Sequence, residues 1–336
     1  MQAAVQLRAD VAALATPDGR MVGTAGHDRA RDFLCERLRL LGLEQYRSSN
    51  NFRLPYQDGG QEFCNVVAVV PGQDRHARPV LLGAHYDSVI DAPCADDNAA
   101  AVAITLAVAE HLREQPPARD VIVAFFDAEE PPHFLMPSMG SIRFVLDQMD
   151  ARGVGLTLIQ DLTGHDVELP LPVLGHTALP KIKDLLFMTG AESHPHLAGI
   201  VQGILKANSL PLVATLNEHI GDMSDHHIFR TVGLPYLFFS CGRWQHYHQR
   251  SDTPEKLNYE KMARIAALLG DLVHAGASVD YSKATKEADT VAFEIAMLRR
   301  AFGPTLPVVL KLCGVPQLVG RSDLDALVGT LNSLGL

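Results

Sequence analysis

At least four apolar runs in this chain deliver a histidine or an acid at the same end, and that recurrence constrains the fold more than any other feature. PVLLGAH (79–85) ends in His85, and DVIVAFFDA (120–128) runs into Asp127-Ala128-Glu129-Glu130. GLTLIQDL (155–162) carries Asp161, and LPYLFFS (234–240) leads to Tyr247-His248. A fifth run, NVVAVV (65–70), stops at Pro71-Gly72. Continuous apolar strands of this kind suit the centre of a sheet covered on both faces. Helical patterns alternate with them at 2–15, 27–42, 99–112, 141–149 and 254–277. In 27–42 the apolar Ala30, Phe33, Leu34, Leu38, Leu40 and Leu41 recur at roughly helical spacing, and Gly42 follows as a stop signal. The alternation predicts an α/β fold, a three-layer α/β/α sandwich with a mixed, largely parallel central sheet. Residues 165–222 are less patterned, rich in Pro, Gly and His, and read as an excursion that walls a pocket. Beyond residue 280 the chain turns mostly helical again, with an amphipathic stretch at 321–335.

Ligands of open α/β sheets bind at the carboxyl ends of the strands, which is where the acids and histidines fall. A metal-binding histidine usually donates its second ring nitrogen to a carboxylate or carbonyl, and Asp87, two residues after His85, is placed for that part. Taken alone, His85 reads as a structural histidine, and Asp96-Asp97 before an Ala-rich helix read as N-caps favoured by the helix dipole. The cluster Asp127, Glu129, Glu130 has fewer bland explanations. Unpaired carboxylates at a core edge repel one another and resist desolvation, and a divalent cation removes both penalties. Neighbouring glutamates can also divide the labour, one binding metal and one handling a proton. A set of imidazoles and carboxylates without thiolate suits zinc, cobalt or manganese. Five such ligands, one of them bridging, make two ions about 3.5–4 Å apart feasible.

Other chemistries find no support. The formal net charge of −10 argues against nucleic acid or an anionic membrane as the main partner. Five widely spaced cysteines without a CxxC make neither a disulfide framework nor a cysteine-zinc site, so a reducing compartment is expected. The first twenty residues lack the apolar core of a signal peptide, and no run of about 18 apolar residues occurs, so the expected location is the cytoplasm. Neither a G-x-S-x-G elbow nor a Gly-rich phosphate loop is present. Cys94, near Asp97, has no local motif of a cysteine hydrolase.

The order HYDS (85–88), ADDNAAA (95–101), DAEE (127–130), QDLTG (160–164) and YHQRSDT (247–253) resembles the M28 family of zinc peptidases. That family includes bacterial aminopeptidases and has glutaminyl cyclases as relatives. The resemblance runs from about residue 20, where RMVGTAGHDRA is similar to the family's N-terminal region, to about residue 278. It implies a peptidase domain over 1–280 and a mostly helical extension over 281–336, packed on or next to it. It implies His85 on one zinc and His248 on the other, with Asp97 bridging, because Asp97 rather than Asp96 fits the family's D-x-A-S-G position. Glu130 and Asp161 would each complete one metal. Glu129 would be the general base that activates a metal-bridging water, Asp87 would orient His85, and Tyr247 would stabilise the oxyanion. The peptide bond after the bridging acid is expected to be cis. The implied activity is aminopeptidase hydrolysis of peptides or aminoacyl substrates with two Zn2+ per chain, Co2+ or Mn2+ being alternatives. The other readings are a glutaminyl-peptide cyclotransferase, working with one zinc, and a non-catalytic binding protein derived from a peptidase. This chain departs from the family pattern at Ala100-Ala101, where Ser-Gly is usual, and in PPHFLMPSMGS (131–141), whose length should alter a pocket wall. Ser224-Asp225-His226-His227 resembles the family's SDH segment, with the acid expected to line the pocket; His226 or His227 is a candidate third ligand, and the stronger reading is a hydrogen-bonding cluster at the pocket edge. Trp244 and His246 either shape the specificity pocket or belong to a surface loop.

Overall fold

The computed structural model describes residues 2–47, 49–168, 182–281 and 287–333. The nine strands among the described residues are β1 (Glu44–Gln45), β2 (Arg53–Asp58), β3 (Gln61–Val70), β4 (Val80–His85), β5 (Val121–Phe126), β6 (Leu156–Gln160), β7 (Leu186–Thr189), β8 (Leu212–Ala214) and β9 (Tyr236–Ser240). They form one sheet in the order β1-β3-β5-β4-β6-β9-β7-β8, with β2 also paired to β3. The central four, β5-β4-β6-β9, are parallel, so their carboxyl ends share one edge. Antiparallel pairs flank them on both sides, β3 against β5 and β7 against β9. The chain leaves β4 for β5 on one side and then reaches β6 on the other, which opens a crevice at the carboxyl end of β4.

The ten helices among the described residues are α1 (Gln2–Leu14), α2 (Ala25–Leu40), α3 (Ala101–Glu114), α4 (Gly140–Arg143), α5 (Leu197–Ile204), α6 (His226–Thr231), α7 (Tyr259–Ala277), α8 (Val291–Phe302), α9 (Leu306–Leu312) and α10 (Arg321–Ser333). The central strands β4, β5, β6 and β9 are mostly apolar because both faces of the sheet are covered there. Val66, Ala68 and Val70 of β3 share a core with residues of α1, α2, α3 and α7. The alternate residues Val67 and Val69 face a second core built on Phe144 and Phe229. Every residue of β4 and β5 is buried. The architecture is therefore the three-layer α/β/α sandwich, with a mixed sheet whose centre is parallel.

Local differences from the sequence expectations have identifiable causes. The helix expected from residue 99 begins at Ala101, after a turn over Ala95–Ala100 in which Asp97 leaves the helical region (φ −111°, ψ 85°) and the Asp97-Asn98 peptide is cis. The helix expected over 254–277 is two pieces, because Asn258 caps α7 by accepting the Lys261 N–H at 2.9 Å. The strand expected to 128 ends at Phe126, and Ala128 takes a left-handed backbone (φ 54°) that turns the chain out of the sheet. The expected excursion at 165–222 contains β7, β8 and α5, and residues 169–181 of it lie outside the described residues. Among the described residues no helix is long and apolar enough to cross a membrane.

Candidate metal centre

The crevice beside β4 brings together the ends of all four parallel strands. His85, the last residue of β4, is fully buried, and its Nε2 lies 3.4 Å from Asp97 Oδ1 and 3.6 Å from Asp161 Oδ1. Asp161 follows β6 directly. The second oxygen of Asp97 faces another imidazole, with Oδ2 3.2 Å from His248 Nε2, and that nitrogen is 3.3 Å from Glu130 Oε2. Glu129 Oε2 is 3.8 Å from His85 Nε2. Ligand atoms of His85, Glu129 and Asp161 all lie within 4.8 Å of one another, as do those of His85, Asp97 and Glu130. Distance alone therefore does not separate Glu129 from the ligands.

The electrostatics fit a cation. His85 Nε2, Asp97 Oδ2, Glu129 Oε1, Glu130 Oε1 and Asp161 Oδ1 are buried and make no hydrogen bond. So many unpaired buried polar atoms are costly in the protein alone, and a divalent ion satisfies them together. Burial pushes Glu129 well above the usual carboxylate range, with Asp161 and Glu130 adding to it against the pull of His85. Burial, then the charge of Asp97, pushes Glu130 up to about 8, and burial also raises Asp161. Burial pulls His248 down, but Asp97 and Glu130 outweigh it and carry the imidazole up to about 10. Asp97 itself is held low, its burial outweighed by the two imidazoles. The donors are two imidazoles and carboxylates, with no thiolate within the cluster, a set suited to zinc.

Neighbouring side chains aim this cluster. Asp87 Oδ1 lies 3.3 Å from His85 Nδ1, leaving Nε2 turned to the acids. The same carboxylate accepts the backbone N–H groups of Glu129 and Glu130, each at 3.1 Å. Burial opposes the charge of Asp87, but His85 and these two amides hold its carboxyl below the usual range. Asp96 points away from the cluster, accepting the Gly164 N–H at 2.6 Å and lying 2.6 Å from His165 Nδ1. Asp127 is likewise diverted, to His27 Nε2 at 2.7 Å and the Cys64 N–H at 2.7 Å. Tyr247 stacks on His248 with ring centroids 3.7 Å apart, and His248 sits at a left-handed φ of 57°.

Two supporting residues escaped the sequence reading. Asp252 accepts the backbone N–H groups of Asp96 (2.9 and 3.0 Å) and Asp97 (3.2 Å), so the end of YHQRSDT holds the turn of ADDN. Arg20, 1% exposed, donates to the carbonyls of Leu14, Tyr86, Pro93, Cys94 and Asp97 at 2.8–3.2 Å. Both stand within motifs that were legible, Arg20 at the head of RMVGTAGHDRA, but their partners are backbone atoms with no signature in a sequence.

A cavity of about 440 Å³ opens from Asp97, Glu129, Glu130 and Asp161, with apolar walls that include Phe187, Met188, Val213 and Phe238. Pro131 and Phe134 line it too, so the proline-rich segment after Glu130 forms part of the wall. One expectation needs correction. Asp225 is not among the residues lining this cavity and is fully buried, with both carboxylate oxygens unpaired among the described residues. Trp244 stacks on His165 at 4.6 Å and meets His246 edge-on, and the loop offers Arg243 and Tyr247 to the cavity instead. His226 stacks on Phe238 at 4.1 Å, and His227 Nδ1 lies 2.9 Å from Asp222 Oδ2, so neither joins the cluster. Cys94 is buried and its thiol is pushed up to about 12 by burial, which leaves it no nucleophile.

The family model of peptidase family M28 matches residues 65–273. In sequence the chain is similar to the uncharacterized protein YfbL of Escherichia coli, 28% identical over 241 residues, covering 65% of this chain and 73% of that protein. In structure it is similar to the LapA aminopeptidase of Legionella pneumophila, with a TM-score of 0.66, 16% identity, and coverage of 82% of this chain and 71% of that one. A Zn-dependent exopeptidase from Parabacteroides distasonis gives a TM-score of 0.62 at 16% identity, covering 81% and 97%. A glutaminyl cyclase of Porphyromonas gingivalis gives 0.64 at 17% identity, covering 80% and 97%. At such identities the structural likeness is one of fold.

Proposed function

The chain belongs to peptidase family M28, and from that premise we propose that it is a zinc-dependent aminopeptidase with two ions per chain. The observation that carries this reading is Asp97, whose two carboxylate oxygens face His85 and His248 separately, at 3.4 and 3.2 Å. His85 and Asp161 would hold one ion, His248 and Glu130 the other, and Asp97 would bridge. Zinc bound there would supply the Lewis acidity that makes a water nucleophilic near neutral pH and polarises the scissile carbonyl.

The chain's own residues do the rest. Glu129, buried and unpaired at Oε1, takes the proton of the attacking water and passes it to the leaving amine. Tyr247 donates its phenolic O–H to the carbonyl oxygen as charge develops there. Asp87 keeps His85 Nε2 aimed at the acids and fixes the Glu129-Glu130 backbone, so that base and ligands share one rigid turn. A free α-amine would be received beside the carboxylates of this same cluster, and the apolar walls would receive the first side chain.

The test is metal analysis together with a screen of aminoacyl amides and a glutaminyl peptide. Two zinc ions per chain, with hydrolysis of a leucyl amide, support the proposal. One ion per chain, with cyclisation of the glutaminyl peptide and no hydrolysis, would replace it by the cyclotransferase reading that the likeness to glutaminyl cyclases keeps in view. A protein that holds no metal and changes neither substrate would point to a binding protein.

A further inference from the structure

The chain after the family match supplies part of the same cavity. Val328, Leu331 and Asn332 of α10 line it together with Asp97, Glu129, Glu130 and Asp161. One stripe of α10, Leu324 and Leu327, each 1% exposed, is packed into the main core. The adjacent stripe, Val328 and Leu331 at i and i+3, faces the cavity. The helix is pinned across the cavity rim. Asp325 Oδ1 lies 3.1 Å from His219 Nε2, and Asn332 Nδ2 donates to the His219 carbonyl at 2.8 Å. Thr215 Oγ1 lies 2.6 Å from the other nitrogen of that imidazole, and both Thr215 and His219 line the cavity. At its start α10 is tied by Arg321 to Glu294, 2.7 Å away on α8. A wall held at both ends and packed from behind has a fixed distance from the acids.

We propose that α10 is the outer wall of the substrate side-chain cavity, and that Val328 and Leu331 set how large an apolar first residue the site accepts. This rests on the aminopeptidase reading for its substrate. The apolar surface of α10 together with Ile220, Met223 and Phe187 favours a leucine-sized side chain over a methyl group.

The test compares the full-length wild-type protein with Leu331→Trp and Leu331→Ala. Two readouts are taken: kcat/KM for leucyl and alanyl p-nitroanilides, and calorimetric dissociation constants for leucinamide and alaninamide. Leu331→Trp should lower the leucyl-to-alanyl ratio of kcat/KM on the order of tenfold, the discrimination that one or two methylenes provide, and weaken leucinamide in step. Leu331→Ala should shift the preference the other way, raising kcat/KM for a phenylalanyl p-nitroanilide relative to the leucyl one. Equal changes for both substrates in Leu331→Trp, or unchanged leucinamide binding, would overturn the wall. A wild-type protein that cleaves neither anilide sinks the aminopeptidase reading alone. The wall is then judged by the dissociation constants: a leucinamide preference lost in Leu331→Trp upholds it, and no preference in the wild type overturns it.

Discussion

Loading the stripped protein with zinc must expel protons, and their number follows from the site. In the metal-free chain Glu130 stands at about 8, raised by burial and then by Asp97. His248 stands at about 10, because Asp97 and Glu130 outweigh its burial. At pH 7 the Glu130–His248 pair therefore holds close to two protons. Both groups must give them up to ligate. Loading at pH 7 should release about two protons per chain from this pair, and at pH 9 about one, since Glu130 is by then mostly ionised. Affinity at this pair should rise about a hundredfold per pH unit between pH 6 and 8, and about tenfold per unit from 8 to 10. Glu129 and Asp161, both raised by burial, add to the release where they give up a proton. The measurement is zinc calorimetry in buffers of different ionisation enthalpy, in which the dependence of apparent heat on buffer counts the protons. A zinc affinity that stays flat from pH 6 to 8 would refute the reasoning, because the ion would then be binding groups that hold no proton.

Three further outcomes follow from the same geometry. Glu129→Gln should keep its zinc content and lose activity by a factor on the order of 10³, the scale of a general base; loss of zinc in the variant would make Glu129 a ligand instead. Arg20→Met leaves five carbonyls without their shared donor and should cost about 3–5 kcal/mol of stability in urea unfolding; a change under about 1 kcal/mol would show that the guanidinium does not hold these loops together. Stripped protein should lose stability as pH rises. Glu130 and Asp252 are both raised to about 8, and His248 to about 10, so between their ordinary values and these the folded chain binds more protons than the unfolded one. Stability then falls from acid toward pH 9, and thermal melts should show zinc reversing the trend; melts of stripped protein that improve with pH would contradict it.

The centre of the fold was legible because the strands there are buried on both faces and carry no competing period. The edges were not. β1 is only two residues long, and β2 (RLPYQD) carries Pro55, which a reading by propensity places outside a sheet. On the sheet this proline sits in a strand that pairs with β3 alone, so its missing N–H costs no ladder bond on the open side. β7 and β8, four and three residues long, are too short for any periodic signal and exist because β9 and each other offer pairing. The place of α10 in the cavity was equally hidden, since His219 and Asp325 meet across 106 residues of chain.

Within the candidate site, what the strand pattern left open was which acid of each group turns inward. Asp96 and Asp97 are adjacent, as are Glu129 and Glu130, and composition cannot rank them. The choice between Asp96 and Asp97 is made by partners far along the chain. His165 and the Gly164 amide hold Asp96 outward, and Asp252 fixes the backbone of both residues. His27 and the Cys64 amide hold Asp127 outward, while Asp87 fixes the backbone of the two glutamates. The acids facing away from the cluster thus set the direction of those that face it. Carboxylates packed this closely would splay apart by mutual repulsion if their backbones were free. A turn tied at its outward acid keeps the inward ones gathered before any ion arrives, so loss of His165 or His27 should loosen metal binding although neither residue touches the cluster.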